Sequence, residues 1–430
     1  MNVPINFVSS ALRGSFFLVI AALSVQCASY TQETKKIRSE YRFNNYDEAL
    51  SELEGSSLKD SSRNRLLYLL EKSSILEKMG QGDKARKLLI QADKLVDELY
   101  TVSLSKEAAT YLFNESAQAY PGEDYEKVAI HTSMALSFLN DKSLAEARVE
   151  AKRINTRLNE INSKYEKKNR YSEDAFGRYL AGMIYEARGE WDSAIIDYRN
   201  ALKAYDAGYS RLFQTSAPRS LIESLYGLLL KRRRQSLASQ MLKEYRWLKS
   251  YRPSSRTGDV IVIHPIGNIA IKKQIEHVIP FGRQIVRFSF PVIQARRRYS
   301  AGKTGVKPQN QPFQSAAVSQ DFDRIASATL EDRRLRIIAK AGARLILKGQ
   351  MTQEAEKRGG PLLGLIFNIY GAVSETADTR QWSLLPSRYY VTRVSLPEGK
   401  QNLKVYSDGK LRQMEQVHVK AGRLSILLAE

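Results

Sequence analysis

The chain has 430 residues, a formal net charge of +21, 43% hydrophobic and 26% charged residues, and one cysteine. That balance supplies both cores and a solvated surface, which excludes a disordered or fibrous chain, and the length corresponds to two or three domains. A single thiol excludes an intramolecular disulfide and a CxxC zinc site.

Arg13 precedes an uncharged run from Gly14 to Gln26 that ends at Cys27. A basic residue, an apolar stretch and a closing cysteine form the pattern of a lipoprotein signal, in which residues 1–26 are removed and the Cys27 thiol is acylated. Leu23 lies four residues before the cysteine and Gln26 stands where a small residue is usual. A plain signal peptide or an uncleaved anchor are therefore the alternatives, although the run is shorter than the roughly 20 residues that span a bilayer. The expected location is a bacterial cell envelope, at the outer membrane facing the periplasm. Export removes nucleic acid as the partner of the basic clusters Lys231-Arg232-Arg233-Arg234, Arg296-Arg297-Arg298 and Arg333-Arg334. Anionic lipid headgroups, wall polymers and acidic proteins remain.

From about residue 31 to 250 apolar residues recur at three and four spacing, the period of amphipathic helices. Gly182 to Ala201 has the small and aromatic residues of a tetratricopeptide (TPR) hairpin at their usual offsets. Gly182 and Ala194 let two helices approach, Tyr185 and Tyr198 fill the space between them, and Gly189 serves the turn. The same register fits Ala147 and Ala85 with their apolar neighbours, and more weakly Ala49 and Ala238. These alanines are spaced by 36, 62, 47 and 44 residues, which predicts an irregular α-solenoid over 27–250 with insertions, one of them the polar stretch Asn162 to Ser172.

The composition changes near Arg252-Pro253 to Gly258, and a mixed strand and helix domain is expected over 259–430. Strands are predicted over Asp259 to Ile271, Gln284 to Phe290, Tyr389 to Leu396, Gln401 to Tyr406, Met414 to Val419 and Leu424 to Leu428, with the last group forming a small β-sandwich-like module. A helical section is predicted over Asp321 to Gly349, a loop over Lys303 to Ser315, and a buried helix over Pro361 to Ser374. The fold class is thus α+β and multidomain.

Four scattered histidines lack paired-ligand spacing, and the P-loop, GxSxG and GxGxxG motifs are absent. The acidic pairs Asp47-Glu48, Glu123-Asp124 and Asp321 with Asp323 suit helix caps better than acid/base catalysis. A non-catalytic protein with no metal and no cofactor is expected. In Asp378-Thr379-Arg380-Gln381-Trp382 the spacing allows an ion pair and a cation–aromatic contact within one turn, either as a structural knot or as a partner-binding spot.

The signal with its cysteine, the segment Gly122 to Leu139, the Gly182 to Ala201 repeat and the element Asp378-x-Arg380-x-Trp382-x-x-Leu385-Pro386 together resemble an uncharacterised family of TPR-like bacterial lipoproteins. Members are often encoded beside small lipoproteins that resemble activators of penicillin-binding proteins, so the resemblance implies an envelope protein, including a small lipoprotein, as partner. The expected role is an anchored, non-catalytic interaction scaffold in envelope assembly or maintenance. Tyr185, Trp191 and Tyr198 are expected to face its groove, with Arg380 and Trp382 as further partner contacts. An envelope hydrolase using two carboxylates and an adhesin for anionic polymers are the alternatives.

Overall fold

A computed structural model describes residues 30–105, 118–163, 170–252, 254, 256–281, 284–294, 304–333 and 377–429. Cys27, the signal segment and the expected helix over Pro361 to Ser374 lie outside the described residues. The helices are α1 (Tyr30–Glu33), α2 (Lys35–Arg42), α3 (Tyr46–Glu54), α4 (Arg65–Lys78), α5 (Gly82–Ser105), α6 (Asp124–Asn140), α7 (Leu144–Ser163), α8 (Ala175–Arg188), α9 (Trp191–Ala204), α10 (Ser210–Phe213), α11 (Arg219–Lys231) and α12 (Gln235–Glu244). A π-helical turn over Tyr205–Tyr209 joins α9 to α10.

One turn geometry recurs between the helices. Asn44, Gly80, Lys142, Gly189 and Arg233 adopt left-handed φ angles of 64, 72, 59, 80 and 54°. In each case the next residue's N–H reaches back five positions, as Asn45 to Glu40, Gln81 to Leu76, Ser143 to Phe138, Glu190 to Tyr185 and Arg234 to Leu229. This is the Schellman closure of a helix C-terminus, which satisfies carbonyls that the helix itself leaves unpaired. The five turns define the hairpins α2/α3, α4/α5, α6/α7, α8/α9 and α11/α12. Five residues beyond each turn stand Ala49, Ala85, Ala147, Ala194 and Ala238, all buried. The irregular spacing read from the alanines is therefore the spacing of the hairpins. At the best-matched repeat, a Cβ on Gly182 would collide with the Tyr198 ring, so only glycine permits that approach.

Strands begin seven residues after the last helical turn, with β1 (Thr257–Ile266), β2 (Lys272–Phe281), β3 (Gln284–Ile293), β4 (Gly305–Pro308), β5 (Gln314–Ser315), β6 (Ala317–Asp321), β7 (Arg388–Pro397), β8 (Gly399–Ser407), β9 (Lys410–Val419) and β10 (Leu424–Leu428). A helix occupies 322–333. The first sheet has the order β10-β1-β7-β6, the second β5-β4-β8-β9, and β2 with β3 forms a separate hairpin. Within the first sheet β10 runs parallel to β1, while β7 is antiparallel to both β1 and β6.

Two expectations are corrected here. The long first strand ends at Ile266, because Gly267 turns the chain at φ 64°, and β2 follows as an arm of its own. The stretch Lys303 to Ser315 is not wholly a loop: β4 and β5 lie within it, and β4 pairs with β8. Its polar side chains are compatible with a strand because only one face is covered. The helical section expected from about Asp321 is helical from residue 322, directly after β6, and of that section only 321–333 falls within the described residues.

Alternation along β1 and β7 assigns the layers, since successive side chains of a strand face opposite ways. Val260, Val262, Val394 and Leu396 face the second sheet and pack with Val306, Leu403, Val405, Val417 and Val419. Ile261, Ile263, Tyr389 and Val391 face the helices and join their apolar core, which runs without a break from Ile37 to Leu424. The first sheet is thus the middle layer between a helical array and a second sheet.

Candidate functional site

The segment from Asp378 to Pro386 lies in the seam between helices and sheet. Its backbone is held by two carboxylates of the helical half. Glu71 on α4 accepts the N–H groups of Ser383 (2.6 Å) and Leu384 (3.0 Å) and the Tyr30 hydroxyl (2.6 Å). Glu126 on α6 accepts the Trp382 N–H (2.8 Å), the Tyr120 hydroxyl (2.7 Å) and the Glu123 N–H (3.0 Å). Burial raises both carboxyls, Glu126 to about 7, against the lowering influence of Lys272 and these hydrogen bonds. Lys272 on β2 bonds Glu123 and the Arg380 carbonyl, which ties the arm into the same seam.

Every sequence-predicted contact residue now has a place. Arg380 is a buried tether: it pairs with Asp378 (2.8 Å), donates to the Gln118 carbonyl (2.8 Å) and lies 5.3 Å from the Tyr120 ring. Trp382 is buried and its indole N–H donates to Ser74 (2.9 Å). Arg380 and Trp382 each grip the helical half, the one at Gln118 and Tyr120, the other at Ser74. Tyr198 is fully buried and donates to Glu186 (2.6 Å), which also holds Arg393 of β7 (2.9 Å). Tyr185 is 8% exposed. The expectation that Tyr185 and Tyr198 line a groove, and that Arg380 and Trp382 meet a partner, is therefore corrected: all four are buried, Tyr185 with the Arg148 guanidinium of α7 5.7 Å from its ring centre and the others in the seam with the β-rich half. Only Trp191 reaches the surface, partly buried, with the Lys231 ammonium 4.1 Å and the Arg232 guanidinium 5.8 Å from its ring centre.

An open concavity among the described residues lies elsewhere. Leu202 of α9, Leu225 and Leu229 of α11, and Leu237 and Met241 of α12 line a groove of about 470 Å³, within the range of roughly 300–1,000 Å³ usual for binding pockets. The π-turn places Asp206 and Ala207 on its wall, and π-turns inside helices concentrate at functional sites. The sequence showed these leucines only as helix core. The legible signal was the weakness of the last repeat, whose apolar positions are not all covered.

The titratable groups elsewhere are engaged structurally. Asp321 pairs with Arg388 (2.7 Å), and Asp323 accepts the Ser387 hydroxyl (2.7 Å). His131 lies between Glu150 (3.0 Å) and Asp93 (3.3 Å), which raise its pKa despite burial. Burial alone lowers His264 to about 4. Among the described residues, no group of three or more His, Cys, Asp or Glu side chains converges as a metal site, and no helix is long and apolar enough to cross a membrane.

The fold defines a TPR-like array of helical hairpins whose core is shared with a two-sheet β-sandwich. No protein-family profile and no curated protein matches the sequence. Among solved structures, the chain is similar to the nearly identical TPR-like repeats of a kinesin-light-chain-type protein from Podosopora anserina, at 13% identity and a TM-score of 0.33, covering 53% of this chain and 100% of that one. It is also similar to MamA, at 14% identity and a TM-score of 0.31, covering 52% and 96%. BtubC from P. vanneervenii matches at 13% identity and a TM-score of 0.30, covering 52% and 79%. The recurring turn geometry, rather than these low scores, identifies the array as TPR-like.

Proposed function

We propose that this chain is a lipid-anchored, non-catalytic interaction scaffold of the bacterial cell envelope, held at the outer membrane through Cys27 and facing the periplasm. The observation that carries the reading is the open groove beside α9, α11 and α12, in an architecture whose stacked hairpins present extended binding surfaces. Its partner would be another envelope protein, with a small lipoprotein as the candidate the sequence resemblance suggests. The turn between α11 and α12 adds a cationic corner, where Arg233 and Arg234 stand exposed beside Lys231, Trp191 and Arg423. A tryptophan among cations suits an anionic membrane interface, and this corner supports the expectation that the body leans on its membrane.

Incorporating a photo-crosslinker at Gln240, on the groove, should capture one protein in intact cells, while the same group at exposed Val149 of α7 should not. Equal yields at both positions would overturn the groove as the interaction site. Mass spectrometry of the mature N-terminus should find acylated Cys27, and an unmodified cytosolic chain would remove the anchor.

A further inference from the structure

The start of the folded body fixes where a membrane anchored at Cys27 must lie. Tyr30 is buried, and its hydroxyl sits between the Glu71 carboxylate (2.6 Å) and the Gln381 carbonyl (2.8 Å), so the chain is locked into the seam from this residue onward. Ala28 and Ser29 alone separate Tyr30 from Cys27, which leaves at most about 10 Å of extended chain. Acyl chains on Cys27 therefore hold the surface around α1 close against the bilayer. The next residue, Thr31, donates its hydroxyl to the Lys272 carbonyl (3.1 Å), so the base of the β2–β3 arm stands at the same point.

Among the described strands β2 and β3 pair only with each other, and a two-stranded ribbon is marginal in water by itself. Their register sets Lys273 opposite Val292, Ile275 opposite Phe290, His277 opposite Phe288, Ile279 opposite Val286 and Phe281 opposite Gln284. Since alternate residues of a strand share a face, these pairs form one row, in which seven of ten residues are apolar and none is acidic. The other row holds Lys272, Gln274, Glu276, Arg287 and Ser289. At the base of the arm this second row meets the body: Lys272 and Ser289 are buried, and Gln274 accepts the Ala377 N–H (2.9 Å). The apolar row stays open there, with Ile275 39% exposed, Lys273 exposed, and Phe290 and Val292 only partly buried.

Resting on the reading that Cys27 is acylated, we infer that the β2–β3 arm is a second membrane contact, its apolar row laid into the headgroup boundary of the same bilayer. The anchor brings the arm's base to that surface, and the row offers it apolar residues with a lysine at headgroup level. The arm lies along the bilayer and does not cross it. A two-stranded ribbon leaves the outer N–H and C=O groups of both strands unpaired, which the hydrocarbon core does not tolerate and the wet headgroup region does. The acyl chains supply attachment and the arm supplies orientation, because two separated contacts stop the body from turning about its tether.

The test uses the mature full-length protein on vesicles of phosphatidylethanolamine and phosphatidylglycerol. Acylation consumes the one native thiol, so a cysteine introduced by Ile275→Cys takes an environment-sensitive dye alone. Its emission should shift to the blue, and nitroxide-labelled lipid should quench it severalfold more strongly than the same dye at Glu276→Cys, one residue along in the opposite row, or at Val149→Cys on α7. Phe290→Cys, the cross-strand neighbour of Ile275, should repeat the result and serves where the first variant disturbs folding. Equal quenching at Ile275 and Glu276, or quenching at neither, would overturn the inference. A photo-crosslinker at Ile275 should label lipid, and labelling of Pro361 to Ser374 in the same chain or of a second copy would refute the bilayer as occupant. Mass spectrometry of the same sample separates the two claims. With Cys27 acylated, a probe that stays in water removes the arm contact and spares the anchor; an unmodified Cys27 removes both.

Discussion

Glu71 illustrates how one side chain holds two halves of the molecule together. It is fully buried and accepts two backbone N–H groups from a segment more than 300 residues away. Glu71→Ala would leave both donors buried and unpaired, at about 1–3 kcal/mol each, so a loss of roughly 2–6 kcal/mol in unfolding free energy is expected, read as a lower urea midpoint. His131 supplies the pH dependence. Its folded pKa is raised by Asp93 and Glu150, so its contribution is present below the unfolded value of about 6.5 and is lost as pH rises through the folded pKa. Glu126, raised to about 7 by burial, acts in the same sense, its contribution fading between the unfolded carboxyl value and pH 7. Urea titrations should therefore show His131→Gln costing more near pH 5.5 than near pH 9, and a cost independent of pH would refute the ion-pair role. Of the residues singled out in the sequence, the Asp378 to Trp382 element was legible as a knot because its charge and aromatic spacing is unusual. Its partners Glu71 and Glu126 were not, since a glutamate in an amphipathic helix reads as solvated until the element that covers it is known.

At the scale of elements, five helical hairpins share one closure but fill its left-handed position with different residues. Gly80 and Gly189 take positive φ without strain, whereas Lys142 and Arg233 carry a Cβ there. Nothing surrounds a Cβ built on Gly80, so Gly80→Ala isolates the backbone cost and should lower stability by about 1–2 kcal/mol. Lys142→Gly should do the opposite and raise it by up to about 1 kcal/mol, seen as an upward shift of the melting temperature. The alanine register in the sequence located these hairpins because close helix approach admits only small side chains, a local requirement. The short strands β4, β5 and β6 were hidden because their lengths give too few residues for alternation to show, and β4 and β6 pair with distant β8 and β7 while β5 pairs, among the described strands, only with β4.

At the scale of the whole molecule, the helices and the middle sheet share one core, so the helical half is not expected to stand alone. Phe176 of α8 stacks on Tyr389 of β7 with ring centres 4.8 Å apart, and Tyr205 donates to the Ser319 carbonyl of β6 (2.6 Å). A chain ending at Arg252 would bare these apolar faces and take from Glu71 and Glu126 the backbone N–H groups of Ser383, Leu384 and Trp382. It should show no cooperative thermal transition and should bind a hydrophobic dye, whereas the full chain should melt cooperatively. The sequence by itself determined the helical period, the hairpin positions, the switch to strands and the excess of positive charge, because each is carried by near neighbours along the chain. Only the tertiary structure decided that Tyr198, Arg380 and Trp382 are interior and that the open groove lies beside α12. Burial depends on what the other half of the chain covers, and no local pattern specifies that.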